Sequence, residues 1–257
     1  MPCGTPSGCI CRSRFPTPGA HRLERFKPGF FPMHPAYLFD IDGTILKVRH
    51  KANRKLIRSI LKRFGISHLN VEELDFAGKT DRDIFSNLLQ KPDEDLFHQV
   101  KQIYLHEMER NLSADDIHVY SGVHDSLDYL RGKAAWTGIL TGNFARAARI
   151  KLAAIGLQDR FRFGAYGDDH HDRNELPPDA HEELVRFSGE PFQPSDLVII
   201  GDTPRDIACA RSFGSVAVAV STGTYSYEEL GDCGPDALLR SLDEFPAWNE
   251  QHLASRT

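Results

Sequence analysis

The stretch Ala36–Ile45 has the sequence AYLFDIDGTI, in which a short apolar run ends in two acids and a glycine. A run of this kind, bounded by a turn signal, predicts a buried strand of a parallel sheet that is covered on both faces. Asp40 and Asp42 are two residues apart, so in an extended chain their side chains point the same way. Two adjacent carboxylates repel each other unless a proton or a cation lies between them. The stretch therefore predicts two adjacent acids where the first strand leaves the sheet, with either one of them protonated or a cation between them.

Gly43 and Thr44 complete this motif. Glycine permits a sharp turn and a close approach of the backbone to a ligand, and threonine offers a hydroxyl. The alternative interpretation is a solvated Asp-Gly turn after a strand. The whole pattern Asp-x-Asp-Gly-Thr, however, is expected by chance in roughly one of several hundred proteins of this size, which favours a functional site.

Length and composition set limits on what the chain does. Its 257 residues suffice for one α/β domain with an insertion or for two small domains, and the formal charge of −5 gives no sign of binding to nucleic acid or to an anionic membrane. No apolar run approaches the roughly 18 residues that cross a bilayer, so we expect a cytoplasmic protein. The five cysteines are an odd number, with two in the body of the chain, which argues against a disulfide framework.

The pattern along the chain divides it into three parts. Residues 1–34 are rich in proline, glycine and basic side chains and have no apolar period, so we expect a disordered or loosely attached tail. Three amphipathic helices are predicted in residues 49–117, at Asn53–Phe64, Asp81–Leu89 and from an N-cap at Asp93 to about Arg110. With no strand between them, they predict a small helical cap that is inserted after the first strand and closes over its acids.

Strands and helices alternate again from residue 118 onward. Together with residues 35–48, residues 118–257 predict a doubly wound parallel sheet of five strands, of the Rossmann type. In such sheets ligands bind outside the carboxyl ends of the strands. Polar residues follow the predicted strands at these ends: Asp40 and Asp42, Thr141 to Asn143, Arg173, and Asp202 with Asp206.

The acids at the strand ends predict a metal site. Asp40, Asp42 and Asp202 offer oxygens to one hard cation, and Mg²⁺ binds through few carboxylates while sharing its coordination shell with substrate phosphate. Asp206, one helical turn after Asp202, would hold a bound water or orient a basic neighbour. The alternative for Asp202 and Asp206 is a helix N-cap with a favourable charge in the first turn.

Two further segments predict anion binding. Thr141, Gly142 and Asn143 lie between a strand and a helix, where a hydroxyl and free backbone N–H groups form an anion site; simple capping by Thr141 or Asn143 is the alternative. Arg173 would bring positive charge to a bound phosphate. Because its loop is rich in acids, a surface ion pair is the other interpretation.

These motifs resemble those of the haloacid dehalogenase superfamily of hydrolases. Phe39–Thr44 is similar to the first family motif, Ile139–Asn143 to the second, and Gly201–Asp206 to the fourth. The helical insertion matches the branch that includes phosphoglycolate phosphatase-like enzymes and β-phosphoglucomutase. The third motif usually offers a lysine, whereas the candidate in this chain is Arg173, which keeps the charge in a different geometry.

The resemblance implies a set of roles for the site. Asp40 attacks a phosphate monoester and forms an aspartyl-phosphate, and Asp42 protonates the leaving alcohol and then helps to deprotonate water. Mg²⁺ is held by Asp40, Asp202 and the backbone carbonyl of Asp42, while Thr141 and Arg173 hold the phosphoryl oxygens. Lys79, in a glycine turn of the cap, is a candidate substrate contact, although Thr80 and Asp81 beside it also suit a helix start.

We therefore expect a magnesium-dependent phosphoric monoester hydrolase that acts on a small phosphorylated metabolite, as a monomer or homodimer. A phosphomutase acting on a sugar phosphate through the same site is the main alternative. A catalytically silent binding protein would not need the intact acids. Dehalogenases of the superfamily lack the second acid of the first motif, so Asp42 argues against halide hydrolysis.

Overall fold

The computed structural model describes residues 35–65, 77–90 and 93–256. Its strands are β1 (Ala36–Phe39), β2 (Leu46–Val48), β3 (Ile117–Val119), β4 (Trp136–Thr141), β5 (Phe163–Tyr166), β6 (Leu197–Gly201), β7 (Val216–Val220) and β8 (Ala237–Leu239). Its helices are α1 (His50–Arg63), α2 (Asp81–Leu88), α3 (Glu94–Asn111), α4 (Val123–Gly132), α5 (Ala145–Ala154), α6 (Leu176–Ser188), α7 (Pro204–Phe213), α8 (Tyr227–Asp232) and α9 (Phe245–Ser255). Within these ranges, no helix has the length and apolarity to cross a bilayer. The predicted tail, residues 1–34, lies outside the described residues.

A parallel sheet with the strand order β5-β4-β1-β6-β7-β8 forms the centre of the molecule. The α/β class and the five predicted strands are confirmed, but the strand number was wrong because β8 adds a sixth. Its residues, Ala237, Leu238 and Leu239, are good helix formers, so no local pattern predicted a strand there. Pairing with β7 and burial of the strand outweigh that local preference.

Strand β1 has helices on both of its faces. Because its side chains alternate between these faces, each face buries two of them. Ala36 and Leu38 pack with apolar residues of α6 and α7 on one face of the sheet. Tyr37 and Phe39 pack on the other face, where both rings contact Phe245 at the start of α9. All four side chains are at most 1% exposed, as expected for a central strand covered on two sides.

Helices α1, α2 and α3 lie between β2 and β3, in the segment predicted to be helical. The two strands pair antiparallel, with Leu46 opposite Val119, and so bring the two ends of the inserted segment together. The sequence did not predict this pair. Aromatic rings from α2 and α3, Phe85, Phe97 and Tyr104, pack around Phe144, the N-cap of α5. The inserted helices are therefore fixed to the core close to the carboxyl end of β4.

Candidate active site

Three buried carboxylates meet at the carboxyl ends of β1 and β6. Asp40 directly follows β1, Asp202 directly follows β6, and Asp206 lies in the first turn of α7. The two strands are adjacent, with Phe39 opposite Ile200, so the residues that follow them are close together. One oxygen from each of the three carboxylates lies within 4.8 Å of the other two. Asp40 and Asp202 are thus side by side, as the sequence predicted.

The guanidinium of Arg173 lies between two of these acids. Its Nη2 donates to Oδ1 of Asp40 at 2.9 Å and to Oδ1 of Asp206 at 2.5 Å. Because the Arg173 side chain is only 4% exposed, this is a buried contact, not the surface ion pair that the sequence left as an alternative. The Nε of Arg173 is buried and has no hydrogen-bond partner in the described part of the chain.

The acids of this cluster are difficult to ionise together. Burial raises the pKa of Asp40 to about 6, although Arg173 opposes the shift. Burial, followed by the charges of Asp40 and Asp206, raises the pKa of Asp202 to about 9. A divalent cation would relieve this repulsion. Buried carboxylate oxygens around one point are also the ligands that Mg²⁺ prefers, so the residues present fit this ion.

Gly43, Thr44 and a glycine from another loop surround the carboxylate of Asp202. Thr44 Oγ1 donates to Oδ1 of Asp202 at 3.2 Å. A Cβ at Gly43, where φ is +98°, would lie 2.2 Å from Asp202 Oδ2, and one at Gly223 would lie 1.7 Å from the same atom. A side chain at Gly43 would be strained by the backbone, and a side chain at either position would have to displace the Asp202 carboxylate. The sequence analysis identified Gly43 but missed Gly223, which stands outside any recognised motif.

Asp206 combines the two roles that the sequence left open. Its Oδ2 accepts from the backbone N–H of Thr203 at 3.0 Å and from the Thr203 hydroxyl at 2.7 Å, which completes a capping box at the start of α7. Its Oδ1 accepts from Arg173. One carboxylate therefore both caps a helix and orients the buried cation beside Asp40.

The carboxylate of Asp42 is not among the three that meet, and it binds a lysine instead. Lys151 Nζ donates to Oδ2 of Asp42 at 2.5 Å and to Oδ1 of Asn143 at 2.8 Å. Sequence reasoning missed Lys151. The signal was its position on α5, one helical turn after Ala147 and Ala148, which places a charge on the buried face of the helix. The proposed metal contact of the Asp42 backbone carbonyl stays a prediction.

Thr141 is the last residue of β4, and Gly142 and Asn143 follow it. Gly142 contacts the loop that precedes α2. Thr141 is 1% exposed, and its hydroxyl accepts from the Asn143 N–H at 3.4 Å. The carbonyl of Gly142 accepts from the Asp81 N–H at 2.7 Å. A Cβ at Gly142 would lie 2.1 Å from the Lys79 carbonyl oxygen. The inserted segment therefore contacts the predicted anion site directly, and glycine makes that contact possible.

Lys79 lines a pocket of about 180 Å³ between the inserted segment and the core. Other residues of the lining include Gly78, Thr80, Arg173 and Arg205. Arg205 Nη1 donates to the Ala77 carbonyl at 2.8 Å, and this hydrogen bond links the core to the inserted segment beside the pocket. Lys79 thus shares the pocket with Arg173, on whose other side lies Asp40.

Comparison with known proteins agrees with this geometry. A family model described as "Haloacid dehalogenase-like hydrolase" matches residues 37–220, which is well over half of the chain. The phosphoglycolate phosphatase of Chromobacterium violaceum is 27% identical over 216 residues, covering 81% of this chain and 93% of the relative. The pyrophosphatase PpaX of Bacillus pumilus is 24% identical over 213 residues, covering 82% and 94%.

Solved structures share the fold. A hydrolase from Pseudomonas syringae matches with a TM-score of 0.64 and 20% identity, covering 84% of this chain and 99% of that one. The protein CbbY of Rhodobacter sphaeroides, solved in complex with phosphate, matches with a TM-score of 0.64 and 18% identity, covering 82% and 96%. At these identities the likeness concerns the architecture of the chain.

Proposed function

Because the chain belongs to the haloacid dehalogenase-like hydrolase family, we propose that it is a magnesium-dependent phosphatase acting on a phosphate monoester of a small metabolite. The observation that carries the proposal is the buried contact between Arg173 and Asp40, beside the carboxylate of Asp202. The carboxyl edge of the sheet thus brings together a carboxylate oxygen, a fixed cation and a set of oxygen ligands. This combination suits phosphoryl transfer, where catalysis consists mostly of positioning and charge stabilisation.

In the first step Asp40 is the nucleophile. Arg173 occupies Oδ1 of Asp40, so Oδ2 is the oxygen that forms a bond to phosphorus. The ester P–O bond breaks, and its electron pair goes to the leaving alcohol oxygen, which takes a proton from Asp42. Arg173 and the hydroxyl of Thr141 hold the other phosphoryl oxygens. The products are an alcohol and an aspartyl-phosphate on Asp40.

In the second step water attacks the phosphorus of the aspartyl-phosphate. Asp42, now ionised, takes a proton from that water as the new P–O bond forms. The bond from phosphorus to Oδ2 of Asp40 breaks, and its electron pair restores the carboxylate. Inorganic phosphate leaves, and both aspartates return to their initial states.

The side chains of Asp40 and Asp202, with the backbone carbonyl of Asp42, would hold the magnesium ion. When bound, it neutralises negative charge on the carboxylates and on the phosphoryl oxygens. Asp206 is engaged by Thr203 and Arg173, so its contribution is to fix Arg173.

We also propose that α1, α2 and α3 act as a cap over this site. The cap would comprise residues 49–117, and the β2–β3 pair at its base would be the hinge. The contact of Asp81 with Gly142 and the pocket beside Lys79 support this role. Lys79 is then the candidate contact for the part of the substrate beyond the phosphate.

A screen of phosphate esters, with and without Mg²⁺, tests the proposal. 2-Phosphoglycolate and pyrophosphate are the first probes, because relatives carry the names of phosphatases for them. We expect magnesium-dependent phosphate release that Asp40→Asn and Asp42→Asn each reduce to a small residual rate. Equal release by Asp40→Asn would refute Asp40 as nucleophile. Interconversion of sugar phosphates without net release would instead support the phosphomutase.

A further inference from the structure

Lys151 is a buried ammonium that the proposed mechanism does not use. Its side chain is 7% exposed, and its partners are Oδ2 of Asp42 and Oδ1 of Asn143. A lysine is rarely buried to this degree, because removal of its charge from water costs several kcal/mol unless the charge is paired. The ion pair of Lys151 and Asp42 is therefore a structural contact within the protein and not a solvent-exposed surface pair.

The hydrogen bonds of Lys151 connect the segments that follow two neighbouring strands. Asp42 belongs to the turn after β1, whereas Asn143 follows β4, and Lys151 reaches both from the second half of α5. The charge of Lys151 also acts on Asp81 of the inserted segment, where it opposes the effect of burial on the pKa of that carboxyl. Lys151 thus lies where the first motif, the second motif and the inserted segment meet.

The two oxygens of Asp42 differ in their surroundings. Oδ2 accepts from the ammonium, and Oδ1 receives no hydrogen bond from the described residues. An ammonium has only donors, so the oxygen bound to it can only accept. A proton that Asp42 gives away must then be carried by Oδ1. Without this partner, the half-exposed carboxyl would rotate freely among its rotamers.

We propose that Lys151 is a positioning residue, which binds Oδ2 of Asp42 and thereby presents Oδ1 to the oxygen of the leaving group. The inference rests on the proposed phosphatase function and adds a residue to it. Among the described residues the hydrogen bonds of Lys151 go to Asp42 and Asn143, and not to the carboxylates of Asp40 or Asp202. It acts through the orientation of Asp42 in the step where the ester bond breaks.

Leaving-group dependence tests this role. A p-nitrophenolate leaves without a proton, whereas an alkyl alcohol needs one, so only the alkyl ester depends on a positioned acid. For Lys151→Met we expect kcat/KM to fall about 100-fold for an alkyl phosphate and less than about threefold for p-nitrophenyl phosphate. The ratio kcat/KM reports the first chemical step and excludes hydrolysis of the aspartyl-phosphate. Lys151→Gln, which keeps a donor, should lose less on the alkyl ester.

Two comparisons separate positioning from structural damage. In an Asp42→Asn background, Lys151→Met should have little further effect, because residues that act as a unit are not additive. The matched control is Arg146→Met, which removes a cation of the same helix from its surface pair with Glu109 and should leave the leaving-group dependence unchanged. Equal losses on both esters, or additive losses in the double variant, would overturn the inference.

A crystal structure of Lys151→Met provides a readout that does not require activity. We expect the Asp42 carboxylate to leave the position in which its Oδ2 faces the side chain of residue 151. A carboxylate that stays there would overturn the inference, even if the enzyme is a phosphatase. If the wild type hydrolyses no ester, the proposed function fails, and the position of Asp42 in this variant still decides whether Lys151 orients it.

Discussion

Buried carboxylates occur in two regions of the described residues, and the electrostatics of these regions differ. At the carboxyl ends of β1 and β6, Asp40 and Asp202 share a cluster with Asp206 and a single cation, Arg173. At the start of α2, Asp81 is also buried, but its Oδ2 accepts from the Phe144 N–H at 2.8 Å, and it does not belong to the three-carboxylate cluster. Burial raises the pKa of Asp40 and of Asp81 to about 6 in each case.

The difference shows that a perturbed pKa does not by itself identify a catalytic acid. In the cluster, like charges add to the effect of burial, and the pKa of Asp202 rises further, to about 9. A bound cation would remove that penalty. For Asp81, burial raises the pKa most, the charge of Lys151 and a backbone N–H offset part of that rise, and the charges of Asp42 and Asp168 are the smallest contributions. The first region suits a ligand, and the second suits a contact between two parts of the chain.

The largest effect that follows from this distinction concerns activity. Asp40→Asn should lower kcat for a phosphate ester about 10⁴-fold, because the amide cannot act as the nucleophile. Asp81→Asn, at an acid equally buried, should keep activity within about tenfold. Steady-state phosphate release measures both, with circular dichroism to check folding. Comparable losses in the two variants would erase the distinction between the regions.

The second prediction concerns the metal. Mg²⁺ at 100 times its Kd should raise the free energy of unfolding of the wild type by about 3 kcal/mol, since only the folded chain assembles the ligands. Asp202→Asn should lose most of that gain, and Asp159→Asn, at an exposed acid, should keep it. Thermal unfolding with and without Mg²⁺ measures the change. An undiminished gain in Asp202→Asn would remove this residue from the metal site.

The sequence predicted the acid cluster at the strand ends better than it predicted the contact between the inserted segment and the core. Asp40, Asp42, Asp202 and Asp206 follow strands whose apolar runs are unambiguous, and the carboxyl ends of parallel strands share one edge. The partners of these acids were harder to find. Arg173 lies 133 residues from Asp40 in the sequence, and its side chain donates a hydrogen bond to that carboxylate. Arg173 begins a 3-10 turn that no local sequence pattern predicts. Arg173 was identified as a possible phosphate contact beyond the third predicted strand, but nothing in the sequence showed that it would contact Asp40 and Asp206.

The contact between the inserted segment and the core was beyond local sequence patterns. Gly142 suggested an anion site, yet its carbonyl binds Asp81 and its missing Cβ makes room for the Lys79 backbone. Lys151 was hidden because one lysine in an alanine-rich helix resembles a solvated side chain. Strand β8 was missed because its three residues favour a helix. Each of these depends on pairs distant in sequence, which periodicity does not encode.

The third prediction uses the pH dependence of Asp81. Its pKa is about 6 in the folded protein and near 4 in an unfolded chain, so folding favours the neutral carboxyl. The resulting stabilisation is present below about pH 4 and is lost as the pH rises through 6. Asp81→Asn has no proton to lose, and its amide oxygen still accepts from Phe144. Its stability relative to the wild type should therefore rise by about 2 kcal/mol between pH 4 and pH 7. Urea unfolding across this range measures it, and a constant difference would contradict the prediction.

The smallest effect concerns the glycine that separates the two regions. A Cβ at Gly142 would lie 2.1 Å from the Lys79 carbonyl oxygen, a distance at which the backbone must move. Gly142→Ala should displace the loop before α2 and lower kcat/KM about tenfold, which corresponds to about 1.4 kcal/mol, while the magnesium-dependent stabilisation persists. Gly132→Ala is the matched control, because a Cβ there meets nothing within 4 Å. If Gly142→Ala also abolished the stabilisation by Mg²⁺, the loop contact and the acid cluster would be structurally coupled. The region around Asp81 would then contribute to metal binding, and the two regions would not be distinct.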